Sequence, residues 1–559
     1  MPPTIPNTPA QLGFPPKFAE WRRAQIVAAM QVMHALETKD TVFLQAPPGV
    51  GKTPLAILLA KLMSEPRRHI IRKQWGHGAL ITTITKLLQQ QYVADFPELS
   101  QATGRDNWGC LVDPKSTAAN APCTHGWECP IQSSCPYVVQ RDEADQAPIS
   151  VLNTAFYTYE RAFTSKFAGH DLVIMDEAHE LERTIMEYGA EWISPKPFER
   201  NNLRMPDSVQ FFTGSSWDLF WDDVAVDLAE RLDIAEEELQ VAVEQAKHRG
   251  VVDLSGSSGP LLGKVRDLRR LDTYRRAFHR AKQRPQDFVL SRQREGAMKL
   301  EPIWGHSVDF KWPAKRVLMS GTILSAEFLA YCLGLDKEPF TFIDMPSDFP
   351  AASRPLLYVP AVKMGRGASD EDMDHMVRTM DTIIQKKHLG QKGIIHTVSY
   401  KLRDEIMARS KWARLMVTHN AADRLMVLEQ FKAMPDGYIL VSPSMTTGVD
   451  LPEEQCRWQM IPKMPFGNRG DAVIRLRAED TTPFVWEKRQ VKLGQLAYAY
   501  STAAALVQAY GRAMRSAEDW GYTYVLDSNF WHFQQESRWG RLFPGWFREA
   551  VRYTNVEDL

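Results

Sequence analysis

The chain has 559 residues, 44% of them hydrophobic, and a formal net charge of −1, which suits about three to four domains with substantial cores. No apolar run is long enough for a membrane helix, and residues 1–6 have neither the charged nor the apolar stretch of a signal peptide, so a cytoplasmic protein with no membrane partner is expected. The near-neutral charge neither favours nor excludes nucleic acid, because local pattern matters more than the sum.

Residues 1–20 are proline-rich and read as surface chain. Residues 21–36 predict a helix with Gln25 near its start. The Gln25 amide has a donor and an acceptor that suit an adenine edge, and a solvated helix residue is the plainer alternative. Thr41-Val42-Phe43-Leu44 predicts a short buried strand, and 54–62 a helix. Between them lie Gln45-Ala46-Pro47-Pro48-Gly49-Val50-Gly51-Lys52-Thr53. A strand, a glycine-bearing loop ending in Gly-Lys-Thr and a helix make a phosphate-binding loop. Gly49 and Gly51 let the backbone amides face one point, and the helix N-terminus adds partial positive charge there. Lys52 can reach the β- and γ-phosphates of a nucleotide, and the Thr53 hydroxyl can hold Mg²⁺. Ala46 stands where a first glycine is usual.

Residues 79–83 predict the next strand, followed by a helix start at 85–92 with Lys86 and Gln89-Gln90-Gln91. Such a strand end suits a phosphate backbone or, equally, ordinary capping. Cys110, Cys123, Cys129 and Cys135 follow at intervals of twelve, five and five residues. No tight Cys-x-x-Cys pair occurs, and prolines keep the segment irregular, so a metal would have to order it. An iron–sulfur cluster, zinc and unligated thiols all remain open on spacing alone.

After a strand at 149–153, Asp171-Leu172-Val173-Ile174-Met175 runs into Asp176-Glu177-Ala178-His179. Carboxylates at the end of a parallel strand lie where ligands bind. Asp176 can hold Mg²⁺, and Glu177 can orient or deprotonate water. From Asp218 to Lys247 the chain has ten acidic residues, and from Lys264 to Arg284 nine basic ones. Both have apolar residues at helical spacing, so a charge-paired helical hairpin is expected, with a nucleic-acid-facing basic helix as the alternative.

A strand at 315–319 then ends in Ser320-Gly321-Thr322, and a helix at 327–335 follows. Strands at 356–359, 393–396, 438–441, 459–461 and 523–526 alternate with helices at 371–387, 402–410, 422–434 and 496–515. That alternation predicts a second parallel sheet. Its polar stations are Thr397 to Tyr400, Ser442 to Pro452 with Gly448 and Asp450, and Gln508 to Arg515. On one helix, Gln508, Arg512 and Arg515 share a face and suit the grip on a γ-phosphate in the transition state.

In this order the stations resemble the six motifs of superfamily 2 helicases, and most closely the prokaryotic or phage members of the XPD/DinG family. Ala46 to Thr53 is similar to the first motif, Asp176 to His179 (a DEAH box) to the second, and Ser320 to Thr322 to the third. His396 to Tyr400, Ser442 to Leu451 and Gln508 to Arg515 resemble the fourth, fifth and sixth. Lys463-Met464-Pro465-Phe466 and Gly104 to Cys110 resemble further family stretches. Thr447 departs from the pattern, since the family often has glutamate there.

The resemblance implies an α/β fold with two RecA-like domains. The first is built from 1–103, 149–189 and 306–330, and the second from 331–559. The resemblance places an iron–sulfur insertion at 104–148 and a helical Arch at 190–305. It implies a [4Fe–4S] cluster on Cys110, Cys123, Cys129 and Cys135, and ATP with Mg²⁺ between the domains. Ala46, Pro47, Pro48, Gly49, Val50, Gly51, Lys52, Thr53, Gln25, Gly448 and Asp450 would bind nucleotide. Lys52, Asp176, Glu177, Gln508, Arg512 and Arg515 would act in hydrolysis, and Thr53 and Asp176 would hold Mg²⁺. The implied activity is 5′→3′ translocation on single-stranded DNA by a monomer, with unwinding of tailed or forked duplex. The alternatives are a DNA-dependent ATPase that remodels protein–DNA complexes or R-loops, and a scaffold whose ATPase gates partner binding.

Overall fold

The computed structural model describes residues 5–64, 78–114, 116–125, 128–164, 166–248, 259–365, 367–443, 451, 453–512, 519–535 and 537–559. Two seven-stranded sheets, parallel throughout, form two RecA-like domains. The first sheet has the order Phe340–Asp344, Thr41–Gln45, Arg316–Ser320, Leu172–Asp176, Ala79–Thr83, Ile149–Asn153, Ser100–Ala102. Its central strands are buried along their whole length, as expected where helices cover both faces. The second has the order Met416–Thr418, Ile439–Ser442, Gly393–His396, Trp458–Ile461, Tyr522–Asp527, Leu356–Val362, Val551–Tyr553.

Three expectations change. Phe340–Asp344, assigned by sequence to the second domain, pairs in register with Thr41–Gln45, so the first sheet runs past residue 330. The 190–305 region is not wholly helical: Glu191–Ile193, Phe288–Arg292 and Met298–Pro302 form an antiparallel sheet at the foot of the hairpin. The helix expected at 496–515 is Leu493–Tyr510 and ends at Gly511. Gln508 and Arg512 therefore do not share a helical face, and Arg515 lies outside the described residues. The physical reason is packing. A Cβ on Gly511 would come within 2.9 Å of the Pro48 ring, so the helix end is packed closely against the phosphate loop there.

The hairpin itself is Ser216–His248 against Gly259–Gln283. Its inner face is aromatic, with Trp217 stacked on Phe278 at 4.4 Å and Tyr274 stacked on Phe198. The basic run pairs with the acidic one: Lys282 with Asp218, Arg269 with Glu236 at 2.6 Å, and Lys264 with Glu238 at 3.8 Å. Those three cross-helix pairs are of the kind that a charge-paired hairpin makes. Exposed pairs give at most about 1 kcal/mol each, so the apolar seam supplies most of the cohesion.

Two of the buried histidines of the second domain, His388 and His396, have shifted titrations. His388 sits against Trp458 and meets the Tyr524 hydroxyl at 2.7 Å, and His396 meets Gln459 at 3.2 Å. Burial lowers the pKa of each to about 4. Neither is charged above about pH 6.5, so neither costs stability there. Below that value the unfolded chain takes up protons that the folded domain resists, and stability falls as pH drops from about 6.5 to about 4. We expect the melting temperature to fall over that window and His388→Gln to flatten the slope. A slope unchanged in that variant would show that His388 does not drive the loss.

Candidate active site

Register brings three distant segments together. Gln45 is in register with Ser320, and Asp176 with Met319. The phosphate loop, Asp176-Glu177-Ala178-His179 and Ser320-Gly321-Thr322 therefore leave the sheet side by side at its carboxyl edge. Gln45 ties this edge together, donating to Asp344 at 2.8 Å and accepting the Leu324 amide at 2.7 Å.

Gly49 and Gly51 have φ of 84° and 81°, which only glycine adopts without strain. A side chain at Gly49 would also meet the Phe349 ring. Lys52 and Thr53 open the helix Lys52–Met63, so their amides face the loop, as a phosphate requires. Ala46, Pro47 and Val50 are buried, and Pro48 is half-buried. The Ala46 amide donates to Ser320 O at 2.9 Å, joining the first and third stations. The Gln25 amide is engaged by the loop itself. Its Nε2 donates to Val50 O at 2.9 Å and Gly51 O at 3.3 Å, and its Oε1 accepts the Arg22 amide, so it buttresses the loop.

Both Asp176 oxygens have donors. Oδ1 accepts the Glu177 amide and Oδ2 accepts the Tyr92 hydroxyl, each at 2.9 Å. Burial raises the Asp176 pKa, the neighbouring Glu177 charge adds to the rise, and the Lys52 ammonium opposes it. Glu177 has φ of 54°, a strained backbone of the kind that collects at functional sites. The sequence offered no hint of Tyr92, since a tyrosine on an amphipathic helix reads as core.

The second domain closes the arrangement. Gln508 Nε2 donates to Thr322 Oγ1 at 2.6 Å and lies 3.0 Å from His179 Nε2. His179 Nδ1 is 2.7 Å from Ser320 Oγ. If Gln508 donates, His179 Nε2 accepts and the ring proton sits on Nδ1, a tautomer that follows from the hydrogen-bond pattern. Burial lowers the His179 pKa and keeps the ring neutral, against the raising effect of Glu177 and Glu180. Arg512 lies just past the helix end, and its charge also weighs on His179 and His396. Gly448 and Asp450 lie outside the described residues, as does Arg515. A second bridge joins the domains where Arg477 meets both Glu182 oxygens and packs over the Trp304 ring at 4.3 Å.

In the cysteine segment, Cys110, Cys123, Cys129 and Cys135 all line one cavity of about 280 Å³. Burial pushes the Cys123 thiol up, and the other three cysteines push the same way while Arg105 opposes them. Among the described residues no group of three or more His, Cys, Asp or Glu is gathered closely enough for a metal ion. A neighbouring cavity of about 770 Å³ is lined by Lys86, Arg105, Asn107, Asn153 and Tyr159. In the second domain a cavity of about 590 Å³ is lined by Phe466, Trp486, Tyr498, Arg469, Arg489 and Arg538. There Phe466 stacks parallel to Tyr498 at 6.0 Å, and Arg469 lies over Tyr498 at 5.0 Å.

Residues 27–194 match the model of the DEAD/DEAH box helicase, and residues 383–550 that of the helicase C-terminal domain. The two sides of the cleft are thus the two halves of a helicase motor, and the chain has the make-up of an ATP-driven helicase of the superfamily 2 type. Among solved structures it is similar to an XPD helicase, at 14% identity and a TM-score of 0.59 over 95% of this chain and 99% of that one. An apo XPD structure matches at 13% identity and a TM-score of 0.54, covering 94% and 99%. Xpd4 of S. tokodaii matches at 14% identity and 0.52, covering 95% and 100%. At such identities the likeness is one of fold. Among the described residues no helix is long and apolar enough to cross a membrane.

Proposed function

We propose that the protein is an ATP-dependent DNA helicase that translocates 5′→3′ on single-stranded DNA and unwinds tailed or forked duplex, with a [4Fe–4S] cluster in the 104–148 insertion. The observation that carries this reading is the meeting of Lys52, Asp176, Thr322 and Gln508 across two RecA-like domains, at strand ends set by register.

Lys52 and the loop amides bind the β- and γ-phosphates of ATP, and Gln25 holds the loop from behind. Thr53 and Asp176 have the hard oxygen donors that Mg²⁺ prefers and would hold it, and the ion would supply positive charge beside the phosphates. Glu177 orients the attacking water. Gln508 and Arg512 arrive from the second domain, so hydrolysis requires closure of the cleft. Arg515, Gly448 and Asp450 belong to the same site in this reading. Repeated closure moves the two domains along one strand, which they hold chiefly by its phosphates. The Phe466–Tyr498 cavity with its three arginines supports this reading, because aromatic faces beside positive charge suit unpaired bases.

The shared cavity of the four cysteines is what supports the cluster. A four-iron cluster spreads its thiolates wider than a single ion does, in keeping with four cysteines that line one cavity without gathering at a point. The test is strand displacement by anaerobically purified protein on duplexes with a 5′ tail, a 3′ tail or no tail, with iron measured on the same sample. Displacement from the 5′ tail alone, with about four irons per chain, is expected. DNA-stimulated ATP hydrolysis without displacement would favour the remodelling ATPase, and zinc without iron would overturn the cluster.

A further inference from the structure

We propose that Tyr92 is a positioning residue for the Mg²⁺-bound nucleotide: its phenol fixes the plane of the Asp176 carboxylate beside the Thr53 hydroxyl. The inference rests on the nucleotide-site reading above and adds a residue to it.

Tyr92 lies on the helix Lys86–Asp95, which follows the strand Ala79–Thr83. That strand pairs with Leu172–Asp176, so the helix returns past the end of the strand that bears Asp176. The ring is fully buried, in one apolar cluster with Phe96 and the helix that follows the phosphate loop. Its hydroxyl donates to Asp176 Oδ2 at 2.9 Å, and the Thr53 hydroxyl lies against the same phenol. One phenol thus bonds to Asp176 and neighbours Thr53, the two residues that would hold the ion.

A carboxylate with a donor on one oxygen can still swing about its Cβ–Cγ bond. Asp176 has a donor on each: the Glu177 amide, fixed by the backbone, and the Tyr92 hydroxyl, fixed by core packing. The pair sets the carboxylate plane, and each oxygen keeps a lone pair free for an ion or its water. A phenol suits this task better than a lysine or arginine. It orients the carboxylate without placing a second cation beside the ion, which would repel it. Outer partners of this kind typically set metal affinity or activity by about 10- to 100-fold. A plain structural role predicts something different. There the hydroxyl merely finds a partner because it is buried, and its loss would affect stability but not the ion.

Tyr92→Phe keeps the ring and removes the donor. The measurement is affinity for a fluorescent ADP analogue, by titration in Mg²⁺ and again in EDTA, alongside the Mg²⁺ concentration that gives half-maximal ATP hydrolysis. We expect affinity in Mg²⁺ to fall about tenfold, affinity in EDTA to match wild type, and the half-maximal Mg²⁺ concentration to rise by a similar factor. Equal losses with and without Mg²⁺ would mean disturbed packing and would overturn the inference. So would a variant indistinguishable from wild type in Mg²⁺. Wild-type protein that binds no Mg²⁺-nucleotide would overturn the site reading itself, a separable result.

Discussion

Lys52→Ala is expected to lower ATP hydrolysis by at least about 100- to 1,000-fold while leaving affinity for single-stranded DNA nearly unchanged. Lys52 begins the helix after the phosphate loop, with Gly51 in the left-handed region as its cap. From there its ammonium acts on both Asp176 and His179, which places it at the meeting point of the first two motifs. No other part of the loop supplies a full charge, since the remaining groups are amides and one hydroxyl. Removing it leaves the phosphates with partial charges only, and developing negative charge in the transition state goes unanswered. The DNA-contacting surface proposed above lies elsewhere, at the cavity lined by Phe466 and Tyr498. The checks are steady-state hydrolysis with saturating oligonucleotide and fluorescence anisotropy of the same oligonucleotide. Turnover near wild type would remove the assignment of the loop. A parallel fall in DNA affinity would mean that the substitution disturbs the fold.

The phosphate loop was legible in the sequence because everything that makes it is contiguous: strand, glycines, lysine and helix within about two dozen residues. The order of strands was not legible, because register between Gln45, Ser320 and Asp176 depends on contacts hundreds of residues apart. Short edge strands were missed for a related reason. Phe340–Asp344 is only partly buried and Val551–Tyr553 is largely exposed, so neither has the continuous apolar run of a central strand. The last long helix was carried too far because Ala513-Met514-Arg515 continues a helical pattern, whereas the helix ends at Tyr510 with Gly511 packed against Pro48, a residue of the other domain. Gln25 was noticed for its segment, and the sequence did not show that its amide bonds to the loop backbone. Tyr92 had no signal, since a buried tyrosine announces a role only through the group that its hydroxyl meets.

Arg512→Ala is expected to reduce kcat for ATP hydrolysis by about 10³-fold and to change KM little. The argument starts from where the second domain touches the first. Gln508 bridges Thr322 and His179, Gly511 rests on Pro48, and Arg512 follows within one residue of that contact. Its charge also weighs on His179 and His396, one from each domain. A charge delivered only on closure strengthens as the γ-phosphate takes on negative charge, which is why kcat should suffer more than binding. Arg512→Lys keeps the charge but loses the planar fork and is expected to recover only part of the rate. Gln508→Ala removes the polar bridge that holds the same helix end. Because the two residues share that end, the double variant should cost less than the product of the single losses. Steady-state kinetics over a range of ATP concentrations separates the parameters. A variant in which KM alone rises would make Arg512 a ground-state phosphate contact, and independent, fully multiplicative losses would mean that Gln508 and Arg512 do not act through one closure.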